Sequence, residues 1–429
     1  MHIGVIKMNK EELKFNEKKY IMQTYGRFNL VIDKGKGVYV YDKDGKEYLD
    51  FIGGIACVSV GHSNIKVCKA IAEQAKILIH VSNLYYTEPQ VVLAEKLVKL
   101  SGLKKCFFCN SGAEANEAAI KLAKKITKKT HFIVCEHAFH GRTHGSLAAT
   151  WKQKYKEPFM PLVEGFVFVE YNNIKAIEDA ITDKTAAVMI EPIQGEAGVI
   201  VPDEDYLKNV SEICKKRGVL LIFDEVQSGN GKTGKFFAYE HSEIKPDIVT
   251  LAKGLANGVP IGVCISNYEF EKGDHASTFG GNNLACAAAN ATIDYVLENK
   301  LMENAVKIGE YMTKELKKLP HIKEVRGKGL MIGAEIDEIC DNKNNNSNSY
   351  NNNINLNNNN HKDDNNNENK NNEKVEKINA KKICEKCMEK GLLINNATEN
   401  TLRFLPPLIT KKRHVDAAVK ILNDVLVNL

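Results

Sequence analysis

From Pro89 to Asn299 the chain alternates short apolar runs with helical segments, and no other feature constrains its fold as tightly. The strand-like runs are Lys105-Cys-Phe-Phe-Cys109, His131-Phe-Ile-Val-Cys135, Ala186-Ala-Val-Met-Ile190, Val219-Leu-Leu-Ile-Phe223, Asp247-Ile-Val-Thr-Leu-Ala252 and Ile261-Gly-Val-Cys-Ile265. Between them the spacing predicts helices over Glu88 to Leu100, Gly112 to about Ile126 behind a Ser111 cap, and Asp205 to Lys216 with Gly218 past the end. Strands that are apolar throughout, alternating with helices, form a mostly parallel sheet covered on both faces. The expected class is therefore α/β, with the chemistry beyond the carboxyl ends of the strands.

The pattern changes after Leu301. Val325 to Ile336 is strand-like and broken by glycines, Leu402-Arg-Phe-Leu405 precedes Pro406-Pro407, and Thr410 is expected to cap a last helix. The first 60 residues carry turn signals, Asp33-Lys-Gly35 and Asp44-Gly45, between short strands. The expected organisation is a large domain over residues 61–300 and a smaller α+β domain made of residues 1–60 and 301–429. Within the latter, Asn342 to Asn372 holds 19 asparagines in 31 residues. A segment with so little to bury does not offset the entropy of ordering, so it is expected to be a disordered surface loop.

A net charge of +5 spread along helices gives no footprint for nucleic acid, and no apolar run is long enough to span a bilayer. The amino terminus has no signal-peptide core and carries Glu11 and Glu12, so a cytoplasmic protein is expected. Eleven dispersed cysteines do not make a disulfide framework. The pairs Cys106/Cys109 and Cys384/Cys387 lie too far apart in sequence for a structural zinc site, and no HExxH occurs, so no metal is expected.

Two strand ends carry complementary chemistry. The Val219 run delivers Asp224, and 29 residues later the Asp247 run delivers Lys253, followed by Gly254 and Gly258. A desolvated lysine is a nucleophilic amine suited to a Schiff base. A nearby aspartate is what a pyridoxal phosphate ring nitrogen requires to stay protonated. Asn110-Ser-Gly-Ala-Glu114 ends a strand and opens a helix, so its backbone N–H groups suit a phosphate monoester.

The strings Asn110-Ser-Gly-Ala-Glu-Ala-Asn-Glu117, Ala138-Phe-His-Gly-Arg-Thr143, Glu191-Pro-Ile-Gln-Gly-Glu196, Phe223-Asp-Glu-Val-Gln-Ser-Gly229, Leu251-Ala-Lys-Gly-Leu255, Thr278-Phe-Gly-Gly-Asn282 and Leu402-Arg-Phe404 resemble the class III (subgroup II) aminotransferases. The likeness runs through the whole chain apart from the asparagine-rich insert. It implies the pyridoxal-phosphate-dependent fold type I and a homodimer with shared active sites. Lys253 would bind the cofactor covalently and then move the proton; Asp224 would pair with its ring nitrogen and Gln227 with its phenolic oxygen. Phe139 would stack on the ring, and Ser111, Gly112 and Ala113 would hold the phosphate, joined by Thr278 of the other subunit.

For the substrates, amino acids and 2-oxo acids, the resemblance implies Arg142 for the carboxylate far from the reacting carbon and Arg403 for the one beside it. Glu196 would pair with Arg403 when an ω-amine is bound, and Ser277 would complete the substrate site. Within the family the likeness is to the branch that uses N2-acetyl-L-ornithine and 2-oxoglutarate in arginine biosynthesis. Other ω-amine donors (ornithine, 4-aminobutyrate, succinyl-diaminopimelate or a lysine-pathway amine) stay open, although Ile55 stands where ornithine aminotransferases carry tyrosine. An aminomutase or a non-catalytic relative would keep the same fold. Lys232 replaces a usual arginine, and Ala276 and Asn283 a usual glycine and proline.

Overall fold

The computed structural model describes residues 8–337, 339–340 and 377–429. Its centre is a seven-stranded sheet in the order Lys105–Cys109, Gly262–Ser266, Ile248–Leu251, Leu220–Asp224, Thr185–Ile190, His131–Cys135, Phe166–Val169. Gly262–Ser266 runs antiparallel to both neighbours, and every other pairing is parallel. Every residue of Thr185–Ile190, Leu220–Asp224, Ile248–Leu251 and Gly262–Ser266 is buried, as strands covered on both faces must be. Gly112–Thr127 lies on one face and presents Ala115, Ala118, Ala119 and Ala123, all buried, so helix and sheet approach closely.

Strand and helix positions match the sequence expectation to within a residue or two at each end. The edge strand Phe166–Val169 is one element the sequence reading leaves out. It is short, and only Val169 is buried, so its four residues carry no continuous core signal.

Two smaller sheets flank the centre. Ile32–Lys36, Tyr39–Asp42 and Glu47–Asp50 form an antiparallel meander whose last strand pairs in parallel with Leu392–Leu393, so the two ends of the chain share a sheet. The other contains Ile322–Lys328, Met331–Ile336, Thr401–Phe404 and Asn395–Asn396. The last helix, Lys412–Val427, buries Val415, Ala418, Leu422, Val425 and Leu426. Its start corrects one expectation: the cap residue is Lys411, while the Thr410 hydroxyl donates to the Pro407 carbonyl at 2.6 Å. The tight Pro406-Pro407 turn uses that hydroxyl and moves the helix start one residue on.

Ile339–Cys340 pairs antiparallel with Lys377–Ile378, Ile339 opposite Ile378. The asparagine-rich stretch falls outside the described residues. No described helix is long and apolar enough to cross a membrane. Gly53, Gly54, Ile55 and Ala56 all take positive φ, 55°, 62°, 59° and 65°, making one left-handed turn. Only glycine fits at Gly53, where an added Cβ would lie 2.8 Å from the Leu405 carbonyl oxygen.

Candidate active site

The carboxyl ends of the parallel strands open onto one cavity of about 400 Å³. Asp224 closes its own strand, Lys253 follows Ile248–Leu251, Ser111 follows Lys105–Cys109, and Phe139 to Arg142 follow His131–Cys135. Ser111, Gly112, Ala113, Phe139, Arg142, Asp224, Gln227 and Lys253 all line this cavity. The sequence-predicted amine and acid therefore meet in one place. Lys253 has φ 44°, a left-handed conformation that costs a lysine about 1–2 kcal/mol and that the fold imposes where the chain leaves the strand.

Asp224 is buried and held on both oxygens. Its Oδ2 accepts from His140 Nδ1 at 2.8 Å and from Asn116 Nδ2 at 2.7 Å, and its Oδ1 accepts from the Val226 amide at 3.0 Å. Thr250 Oγ1 donates to Asn116 Oδ1 at 2.7 Å, which fixes the amide's orientation. Burial disfavours a charged His140, but its hydrogen bond to Asp224 and the charges of Asp224 and Glu191 prevail and raise its pKa. His140 Nε2 is buried without a hydrogen-bond partner among the described residues. Glu191, another cavity residue, is buried, and burial pushes its carboxyl well up; it accepts from the Phe139 and Gly195 amides at 2.9 and 3.2 Å.

At the helix start Ser111 Oγ accepts from the Glu114 amide at 3.2 Å, the cap the sequence predicts. The amides of Gly112 and Ala113 precede it at the positive end of a 16-residue helix, facing the cavity. A Cβ on Gly112 would lie 2.7 Å from Val226 Cγ1, so glycine keeps this cradle open. An open helix terminus for phosphate, a buried carboxylate for a ring nitrogen, Phe139 as a face and an amine at a strand end together fit pyridoxal phosphate.

Beside the cavity Arg403 Nη1 meets Glu196 Oε1 at 2.6 Å and the Gly195 carbonyl at 3.1 Å. Gln227 touches both partners at 3.4 Å, Oε1 to Arg403 and Nε2 to Glu196. Arg403 is 2% exposed and Glu196 37%, so the arginine is enclosed and the glutamate borders solvent. Burial raises the Glu196 pKa, but the charge and hydrogen bond of Arg403 outweigh it and hold the carboxyl below its ordinary range. Arg142 has no ion-pair partner among the described residues. Its guanidinium lies 3.4 Å from the centre of the Tyr155 ring and 5.7 Å from that of Phe139.

Two expected residues sit elsewhere. Ser277 Oγ accepts from Asn110 Nδ2 at 3.2 Å and from the Gly280 amide at 3.1 Å, behind the helix start and off the cavity wall. Thr278 is exposed, next to Phe279 at 60%. The sequence reading gave no role to Asn116, His140, Glu191 or Tyr155. Asn116, His140 and Glu191 stand inside the quoted strings, the only signal that pointed at them.

A class III aminotransferase family model matches residues 20–426. Curated relatives include the acetylornithine aminotransferase of Methanocaldococcus jannaschii, 47% identical over 96% of this chain and 97% of that protein. That of Methanopyrus kandleri is 51% identical over 75% of this chain and 84% of that protein. Among solved structures, ornithine aminotransferase from Toxoplasma gondii matches with TM-score 0.86 and 30% identity, covering 99% of this chain and 96% of that one. Acetylornithine aminotransferase from Elizabethkingia anophelis matches with TM-score 0.80 and 33% identity over 99% and 100%. Fold and site thus define a pyridoxal-phosphate-dependent transferase of fold type I. The chain belongs to the class III aminotransferases and is a transaminase.

Proposed function

We propose that this enzyme transfers the ω-amino group of N2-acetyl-L-ornithine to 2-oxoglutarate, giving N-acetyl-L-glutamate 5-semialdehyde and L-glutamate in a ping-pong cycle. The curated relatives carry that name over nearly the full chain. The observation that carries the reading is the 2.6 Å Glu196–Arg403 pair, together with an Arg142 that has no ion-pair partner among the described residues. An ω-amine donor brings no carboxylate to its reacting carbon, so Arg403 needs an internal counter-ion, and Glu196 supplies it. Glutamate or 2-oxoglutarate does bring one, which displaces Glu196 and takes the bidentate face of Arg403. In both half-reactions the distal carboxylate goes to Arg142.

The residues present would hold pyridoxal phosphate, which supplies an electron sink at its ring when bound. Gly112 and Ala113 would give amides to its phosphate, with Ser111 capping the helix behind them. Asp224 would accept from the ring nitrogen, Phe139 would cover a face, and Gln227 would reach the phenolic oxygen. Lys253 would hold the cofactor and, once displaced, carry the proton at the reacting carbon.

The exposed Thr278 fits a contact to a neighbouring copy's phosphate. Leu84, Tyr85, Tyr86 and Phe279, 84%, 67%, 102% and 60% exposed, form apolar surface suited to that copy. Ser277 keeps its expected place in the substrate site only if that copy brings substrate near the Asn110 loop.

The test is a donor panel with 2-oxoglutarate as acceptor. Acetylornithine should give the highest kcat/KM, ahead of ornithine and 4-aminobutyrate; a preference for either of those overturns the substrate assignment. Lys253→Ala should abolish turnover. Glu196→Ala should depress the acetylornithine half-reaction about tenfold or more and the glutamate half-reaction far less, because only the former leaves Arg403 uncompensated.

A further inference from the structure

Arg142 presents a puzzle of positioning. It is a long, exposed cation on a loop, with no carboxylate among the described residues to fix it. A counter-ion would hold it but would also occupy the fork that a substrate carboxylate needs. The structure gives a different support. The Tyr155 ring centre lies 3.4 Å from the guanidinium carbon, with Phe139 at 5.7 Å and the two rings meeting edge to face. An aromatic face attracts the flat side of a guanidinium and leaves its in-plane N–H donors free.

Tyr155 is itself anchored. It lies in the short helix Gln153–Lys156, its amide bonds the Lys152 carbonyl at 3.0 Å, and the next residue, Lys156, packs on Phe168 at 4.3 Å. The ring also lines a second cavity of about 760 Å³, which shares Phe139 with the first. Phe139 thus stands at the seam between the two spaces, and Tyr155 lines the second with Arg142, a residue of the first, across its face.

Resting on the assignment of Arg142 to the distal carboxylate, we propose that Tyr155 is the positioning residue of the substrate site. It holds the Arg142 fork open and oriented by stacking, so that affinity for the distal carboxylate depends on an aromatic ring at 155.

The experiment compares holoenzyme variants by calorimetric binding of glutarate and by KM for acetylornithine. Tyr155→Leu should weaken glutarate binding and raise KM about fivefold each, the effect of about 1 kcal/mol for an exposed cation–ring contact, with kcat within twofold. Tyr155→Phe should match the parent, since the face and not the hydroxyl does the holding. Pentylamine, which carries no carboxylate, should bind parent and Tyr155→Leu alike. Tyr155→Met serves as a second non-aromatic variant should the leucine variant fail to fold.

If Arg142→Ala weakens glutarate binding but Tyr155→Leu or Tyr155→Met leaves it within twofold, the proposal is overturned while the Arg142 assignment stands. Equal loss of pentylamine and glutarate binding in the non-aromatic variants also overturns it, as a general collapse of the site. If Arg142→Ala itself changes nothing, both fall.

Discussion

Lys232 occupies a setting at odds with its chemistry. It is 2% exposed, its Nζ donates to the Pro406 carbonyl at 2.8 Å, and burial lowers its pKa to about 7 despite the raising influence of Cys57 and Asp50. The sign of the consequence follows from proton counting. Between about pH 7 and 10.5 the unfolded chain holds this proton and the folded chain has released it, so stability rises with pH there, at most about 1.4 kcal/mol per unit. Lys232→Met should flatten that slope, checked by chemical denaturation of parent and variant at pH 7, 8 and 9. A difference between the two that does not vary with pH would refute this account. At this scale the sequence was legible where chemistry coincided with a strand end: Asp224 and Lys253 follow apolar runs that could only be buried. Arg403 and Glu196, 207 positions apart, were legible only through family likeness, because no periodicity links them. Tyr155 was not legible, since Lys152-Gln-Lys-Tyr-Lys156 reads as polar surface and its role exists only against Arg142.

Among the elements, the helix Gly112–Thr127 matters most, because one end faces the cavity and its flank packs on the sheet. Its cap and its first residue call for separate tests. Ser111→Ala removes the hydroxyl that accepts from Glu114 and should cost about 1 kcal/mol in stability, measurable as a lowered denaturation midpoint. Gly112→Ala should instead harm the cradle more than it harms stability. The new methyl meets Val226 at 2.7 Å, and forcing the two apart shifts the amides, so affinity for pyridoxal phosphate should fall about tenfold in a fluorescence titration. Unchanged affinity would place the phosphate elsewhere. The sequence foretold this helix and its cap because Ser-Gly at a strand end leaves few alternatives. It did not foretell Phe166–Val169 or the cap at Lys411, since an exposed edge strand has little pattern and the Thr410 hydroxyl is taken by a turn.

For the molecule as a whole, the shared-site reading makes a prediction that no single chain can satisfy. Lys253→Ala and Thr278→Ala subunits are each defective, but a mixed dimer contains one site with both residues intact. Co-expression at limiting cofactor should recover activity toward one working site per dimer, and failure to recover any would remove Thr278 from a neighbour's site. Deleting residues 342–372 should leave kcat and KM unchanged, measured on the purified variant. The reason is the pairing of Ile339 with Ile378, which brings the chain's departure and return side by side on a two-rung ladder. Such a stem is indifferent to what hangs from it. Each doubling of the excursion adds only about 0.6 kcal/mol of closure entropy, so this doorway is where the enzyme should tolerate a grafted reporter or an entire guest protein while transamination goes on undisturbed.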